Sequence, residues 1–155
     1  MSSTQQFVTL FEKDPNKAKG KEYLAHALKI NDKDHDAWIE FAELFRKERK
    51  AKSAISCLKK AVEIDPTDAI SWATMGKLAM AIKDAKSSVD YYSQAIKLDE
   101  MNVELLKSRR ASFQLLGRPD LANEDAQTIN ELKKNAQGGH KAGAEMPDDE
   151  AYEDD

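Results

Sequence analysis

Apolar side chains along this chain return every three or four residues, the spacing that lines one face of an α-helix. Short polar stretches interrupt the pattern at Asp14-Pro15-Asn16, Lys47-Glu48-Arg49-Lys50, Lys83-Asp84 and Gly117-Arg118-Pro119-Asp120. A second set falls between these, at Asn31-Asp32-Lys33-Asp34, Asp65-Pro66-Thr67-Asp68 and Asp99-Glu100-Met101-Asn102. The Asp and Asn residues of the second set are suited to cap the next helix, and Pro66 stops the one before it. The pattern predicts an all-α chain of eight amphipathic helices arranged in pairs.

The pairs repeat. Trp38 and Trp72 stand 34 residues apart, and so do Ala27, Ala61 and Ala95. Ile30, Ile64 and Leu98 keep the same period, as do Asn31, Asp65 and Asp99, and Phe11, Phe45, Ala79 and Phe113. Several independent registers agree, which divides the chain into units 1–34, 35–68, 69–102 and 103–136. No pair can bury its apolar face alone, so units of this length stack on their neighbours. Small residues (Ala42, Gly76, Ala61, Ala95) are expected where helices cross closely, and large ones (Trp38, Phe45, Trp72, Tyr92) between them. The last helix, roughly Asp120 to Lys134, has a narrow stripe of Leu121, Ala122, Ala126, Ile129 and Leu132. Its other faces are polar, as the closing helix of a stack requires.

The third unit reads Trp72, Met75, Gly76, Ala79, Ser88, Tyr92, Ala95, with Glu100 at its end. The second reads Trp38, Phe41, Ala42, Phe45, Ala54, Leu58, Ala61, Pro66. These resemble the tetratricopeptide repeat (TPR) family, whose pattern is Trp-x2-Leu-Gly-x2-Tyr, then Ala-x3-Phe, then Ala and Pro. The first unit matches less fully, through Phe7, Val8, Phe11, Gly20, Leu24 and Ala27. The fourth matches through Leu106, Phe113, Ala122, Ala126 and Ile129, but puts Arg109 and Arg110 at the Leu-Gly positions. The resemblance covers residues 1–136 and implies a right-handed α-solenoid of about four TPR-like helix–turn–helix units.

It also implies a concave groove lined by the first helix of each unit. Carried onto this sequence, the family's groove positions in the first unit are Gln5, Thr9, Glu12 and Lys13. The partner groove expected from the other three comprises Ile39, Glu43, Arg46, Ile70, Ala73, Lys77, Met80, Lys107, Ala111 and Gln114, with Asp36, Lys47, Ala81, Glu104 and Leu115 at the remaining positions. Its middle is apolar and surrounded by Arg46, Lys77 and Lys107, which suits an extended or helical peptide with apolar anchors and some acidic groups. Chaperone-binding members of the family grip a C-terminal carboxylate with Lys, Asn and Arg side chains. The matching positions here hold Gln5, Thr9, Glu40, Ile70 and Thr74 in one window, and Ile39, Glu43, Thr74, Glu104 and Ser108 in the next. Neither set contains a cation, so the resemblance does not extend to that clamp, although co-chaperone-like keeps its place among the family's roles.

Composition narrows the possibilities. Hydrophobic residues are 41% and aromatics 7%, enough for a core made of many small and aliphatic contacts. From Asn135 onward one lysine faces seven carboxylates, a net −6; the total of −4 therefore leaves +2 on residues 1–134. Residues 137–155 read as a disordered acidic tail with little to bury. A body at +2 lacks the charge of a nucleic-acid binder, and the Lys-rich turn at Arg46-Lys47-Glu48-Arg49-Lys50 is interleaved with Glu43 and Glu48. No apolar run approaches the roughly 20 residues that span a bilayer. Residues 1–6 lack the basic start and apolar core of a secretory signal, so the chain is expected to be cytoplasmic, without membrane insertion.

Little in the sequence supports catalysis. Cys57 is the single cysteine, which excludes an internal disulfide and multi-thiolate metal centres. His26, His35 and His140 lie in different units or the tail, and none has metal-ligand spacing to another His or Cys. His26 reads as a helix-surface residue, His35 as a joint residue and Cys57 as packing. No phosphate-binding glycine motif is present. The expectation is a non-enzymatic adaptor without cofactor or metal, binding a protein or peptide in the groove. Two alternatives are a self-assembling structural protein, with the first helix (Phe7, Val8, Leu10, Phe11) as its interface, and an assembly chaperone. The acidic tail is expected to add solubility, contact a basic partner or fold back near Lys77 and Lys107. If the repeat register is right, Trp72→Ala lowers stability by about 3–5 kcal/mol in chemical denaturation; a loss under about 1 kcal/mol would mean an exposed indole and a wrong register.

Overall fold

A computed structural model describes residues 22, 25, 26 and 28–138. The expected first unit before residue 22, with Phe7, Val8 and Phe11, and the tail from residue 139 onward lie outside the described residues. After a helical stretch at residues 28–30 come six helices. They are α1 (His35–Lys47), α2 (Ala51–Ile64), α3 (Ala69–Ala81), α4 (Ala85–Leu98), α5 (Val103–Leu116) and α6 (Pro119–Gly138). Each packs on the helix before and after it, and α3 also touches α5. The described residues form an all-helical solenoid, and their six helices make three consecutive pairs. Among the described residues no helix is long and apolar enough to cross a membrane.

The 34-residue period is written into the hydrogen bonds as well as the residues. The side chains of Asp34, Asp68 and Asn102 accept from the amides of Ala37, Ser71 and Leu105, capping the first helix of each pair at 3.1–3.2 Å. Each satisfies one of the free donors of a first helical turn. At the far ends, the amides of Lys50, Asp84 and Arg118 donate to the carbonyls of Phe45, Ala79 and Phe113 at 2.8–2.9 Å. This six-to-one closure needs a left-handed residue just before the donor. Arg49, Lys83 and Gly117 supply it, at φ 61°, 63° and 81°. Only Gly117 adopts that conformation without a Cβ penalty. The indole N–H groups of Trp38 and Trp72 donate to the carbonyls of Asp32 and Pro66, both at 3.0 Å, fastening each α-helical pair to the joint ahead of it.

Packing within the pairs follows one rule of volumes. Gly76 on α3 faces Tyr92 on α4, and a Cβ at Gly76 would sit 2.9 Å from the ring carbons. The same two positions one unit earlier hold Ala42 and Leu58, which share a core cluster with Ile55, Val62, Met75 and Ala79. Glycine admits the tyrosine ring; alanine accompanies the smaller leucine. Trp72 is half-buried and packs against both this cluster and the next one, formed by Tyr92, Ala95 and Leu105. It therefore joins neighbouring units.

The fourth pair uses a different device. Arg109 occupies the position that Met75, fully buried, holds in the third pair. Its guanidinium makes two bonds to Asp125 on α6, Nε to Oδ2 at 3.0 Å and Nη2 to Oδ1 at 2.6 Å. A third bond reaches Ser93 on α4 at 3.2 Å, and the cation lies 5.5 Å from the Phe113 ring centroid. Asp125 is 3% exposed. A buried carboxylate is tolerated here because a fork of donors meets both oxygens. One ion pair thus binds α4, α5 and α6 where an apolar contact serves elsewhere. Deep between α4 and α5, the fully buried Ser88 and Ser112 hydroxyls satisfy each other at 2.6 Å. Helix α6 begins at Pro119, one residue earlier than the sequence suggests, because a proline loses nothing at a first helical position. It continues to Gly138, since Asn135, Ala136 and Gln137 contain no breaker.

Two glycine changes should act in opposite directions. Alanine ordinarily gains about 1 kcal/mol over glycine inside a helix, but Gly76→Ala should lower stability by about 1–3 kcal/mol by forcing the Tyr92 ring away. Lys83→Gly relieves a left-handed side chain and should raise stability by about 0.5–1 kcal/mol, after the added freedom of the unfolded chain is subtracted. Urea denaturation of both variants against the wild type measures the two signs.

Candidate functional site

Helix α3 reads Ala-Ile-Ser-Trp-Ala-Thr-Met-Gly-Lys-Leu-Ala-Met-Ala and has Lys77 as its one charged residue. A helix apolar all round calls for cover on every side. Its neighbours cover Ser71, Met75, Gly76 and Ala79, yet Ile70 remains 79% exposed and Ala81 is also exposed. At Ile70 this strip borders α1, the equivalent helix of the preceding pair. Between the two helices is a cleft of about 260 Å³. Ile39, Ala42 and Leu58 supply its apolar surfaces, and Ile70 adds one from the α3 side. His35, Asp36, Glu43, Arg46, Asp68, Ser71 and Thr74 complete the lining.

Four of the ten groove residues expected from sequence, Ile39, Glu43, Arg46 and Ile70, line this one cleft. The remaining six are elsewhere. Ala73 and Met80 are half-buried and pack against the Tyr92–Ala95–Leu105 cluster. Lys77, Ala111 and Gln114 are exposed. Lys107 is half-buried on α5, 3.5 Å from Glu104. The lysines therefore lie further along the solenoid, and the cleft contains Arg46 as its one permanent cation. Arg46 is itself engaged: its Nη1 donates to Glu43 Oε1 at 2.9 Å, one helical turn away.

His35 and Asp68 were legible from sequence only as a joint residue and a cap. The structure joins them. His35 Nε2 lies 2.8 Å from Asp68 Oδ2, and Nδ1 lies 3.4 Å from Asp36 Oδ1. The same Asp68 carboxylate accepts from the Ser71 amide at 3.1 Å and the Ser71 hydroxyl at 2.6 Å. It caps α3 and ties that cap to the first residue of α1. The signal in the sequence is the separation of 33 residues, one short of the period, which brings the start of one unit beside the cap of the next.

Burial pulls the His35 imidazole down, but the hydrogen bonds to Asp36 and Asp68, and their charges, outweigh it and hold its pKa above the ordinary 6.5. Burial also works against the Asp68 charge, yet bonds from Ser71 and His35 leave its pKa below the ordinary carboxylate value. Cys57 is buried, and desolvation pushes its thiol up to about 11. A thiol held there is almost wholly protonated at neutral pH and is a poor nucleophile. Among the described residues no cluster of three His, Cys, Asp or Glu side chains could hold a metal ion.

Comparison with known sequences decides the family. The profile of the tetratricopeptide repeat matches residues 35–68 and again 69–101, the two units drawn from the 34-residue period. Residues 35–101 are tetratricopeptide repeats. A search by sequence among curated proteins finds no match. Solved structures support the fold. The chain superposes on the MamA protein with TM-score 0.77 at 13% identity, over 94% of this chain and 80% of that one. A MamA structure labelled AMB-1 gives 0.72 at 17% identity, over 85% and 72%. The second TPR of Spaghetti (RPAP3), bound to the HSP90 peptide SRMEEVD, gives 0.57 at 24% identity, over 65% of this chain and 94% of that one. Tetratricopeptide repeats are interaction scaffolds, and the cleft lies between two of them.

Stability of the tetratricopeptide-repeat solenoid should carry a pH signature from His35. Because folding raises its pKa, its contribution is fully present below about pH 6.5 and is lost as pH rises through the higher folded value. Asp68 acts in the opposite sense, contributing above its ordinary value of 3.8 and losing that contribution as pH falls through its lowered one. Denaturation midpoints of the wild type should therefore decline from pH 6 toward pH 8, and those of His35→Gln should be flatter over that interval.

Proposed function

We propose that this protein is a non-enzymatic adaptor that binds a peptide or a helix of a partner protein along the first helices of its repeats, with the α1–α3 cleft as the anchor point. The observation that carries this reading is the uncovered apolar strip of α3, above all Ile70 at 79% exposure beside a ready cleft. An exposed isoleucine next to a concave apolar floor is the arrangement of an unfilled anchor site. Ile39 and Ile70 are the anchors in this reading, and Glu43 and Arg46 border them. Lys77, Lys107, Ala111 and Gln114 would meet the segment of the partner that runs on along the solenoid, while Ala73 and Met80 shape the surface beneath it.

The RPAP3 domain, similar in fold, holds an acidic peptide. The positions that would make a carboxylate clamp carry Gln5, Thr9, Glu40, Ile70 and Thr74 in one window and Ile39, Glu43, Thr74, Glu104 and Ser108 in the next, none of them cationic, so we infer a partner other than such a peptide. Self-assembly has one observation in its favour. Ile30, Ile64 and Leu98, one per unit, are exposed by 59%, 36% and 41%, with Met101 at 77% beyond them. A partner helix or a second copy laid along that edge would cover them.

The test uses the full chain as bait for crosslinking in a native extract, beside Ile70→Glu and Lys77→Glu variants whose folding is checked by circular dichroism and melting. The adaptor reading expects a species captured by wild type and lost with Ile70→Glu, with Lys77→Glu weakening it less. Capture of the same species at equal yield by all three would place binding away from the groove. A mass by sedimentation that rises with concentration, unchanged by Ile70→Glu, would favour self-assembly along the outer edge.

A further inference from the structure

Resting on that groove reading, we propose that the α1–α3 cleft receives a basic side chain, lysine or arginine, flanked by an aliphatic residue, from an extended segment of a partner protein. Three carboxylates line the cleft, Asp36, Glu43 and Asp68, against the guanidinium of Arg46 and the imidazole of His35, so the lining is net negative even with His35 protonated. Glu43 already holds Arg46 at 2.9 Å, so the guanidinium offers little of its charge to an incoming anion. Asp36 projects into solvent with its side chain 89% exposed. An arriving carboxylate would lose its water beside these groups and gain no free cation. An arriving lysine or arginine would lay its aliphatic stem on Ile39, Ala42 and Leu58 and keep its charged head at the rim near the exposed Asp36.

The starts of α1 and α3 also lie here, and helix N-termini attract anions. That attraction is partly offset, because the Asp34 and Asp68 carboxylates already sit at the amides of Ala37 and Ser71. Both nitrogens of His35 face carboxylates, Nδ1 toward Asp36 and Nε2 toward Asp68, so its ring supplies no free donor to an anion either. Ile70, at 79% exposure, supplies the contact for the aliphatic neighbour. The same charge argument makes the acidic residues from 145 onward poor occupants of this cleft.

A phage library of random dodecapeptides panned in parallel on the full chain and on its folded Ile70→Glu variant tests the proposal. Selected peptides are then synthesised and titrated by fluorescence anisotropy against wild type, Asp36→Asn and Glu43→Gln. The expected result is enrichment of lysine or arginine beside leucine, isoleucine or valine, with affinity weakened about tenfold by the paired neutral substitutions at low salt and less at high salt. A consensus rich in Asp or Glu, or affinity indifferent to both substitutions, overturns the charge assignment and leaves the groove reading standing. Peptides that bind Ile70→Glu as well as wild type overturn both. A dimer that Ile70→Glu converts to monomer makes a second copy the occupant and also overturns the proposal.

Discussion

Everything in this solenoid depends on how closely two helices of a pair can approach. The approach is set where Gly76 meets Tyr92 and, one unit earlier, where Ala42 meets Leu58. Interiors pack at the density of organic crystals, so the summed volume at such a crossing is constrained even when its two members change. A smaller residue on one helix is matched by a larger one on the other. That matching keeps the pairs superposable, and superposable pairs stack into a regular array with one continuous core. The hydrogen bonds then enforce the register. The caps, left-handed closures and indole bonds recur at the period of the packing, so local and tertiary preferences agree at the same residues.

Where the volume rule is abandoned, charge takes over. Arg109 replaces the buried methionine position, and its removal from water is offset only because Asp125 and Ser93 satisfy three of its donors. Such a pair adds less stability than a well-packed apolar contact, but it is demanding in geometry. Both oxygens of Asp125 must face the fork, which defines how α6 sits on α5. The last described helix is therefore positioned on its neighbour by a directional contact.

Much of this was legible in the sequence for a physical reason: the period appears in residues that cannot be exchanged freely. Trp38 and Trp72, the Ala61 and Ala95 crossings and the capping Asp34, Asp68 and Asn102 each face a steric or hydrogen-bonding requirement that recurs every 34 residues. The left-handed turns at Arg49 and Lys83 were not legible, because both residues tolerate that conformation at a cost and neither announces it as Gly117 does. The Arg109–Asp125 pair was hidden too. Arg109 appeared only as a departure from the repeat, and its partner lies on another helix in a run of charged residues. Groove positions carried from the family located Ile39, Glu43, Arg46 and Ile70 beside one cleft, but spread the expected cations over a surface on which the structure separates them.

The separation matters more than the net charge. Arg46, Lys77 and Lys107 around the expected groove suggest an affinity for acidic groups, yet a binding site responds to charges within about a Debye length, and most to those not offset by a partner. At the α1–α3 cleft the guanidinium is paired with Glu43, the helix amides are capped, and both imidazole nitrogens face carboxylates. Asp36, though it faces His35 at 3.4 Å, is also the carboxylate most open to solvent. The devices that stabilise two adjoining repeats, caps and a histidine bridge between them, thus offset part of the positive potential that the first helices would otherwise direct into the groove. The price of that stability is a cleft whose remaining potential is negative, so the same residues that join the repeats also bias what can bind between them.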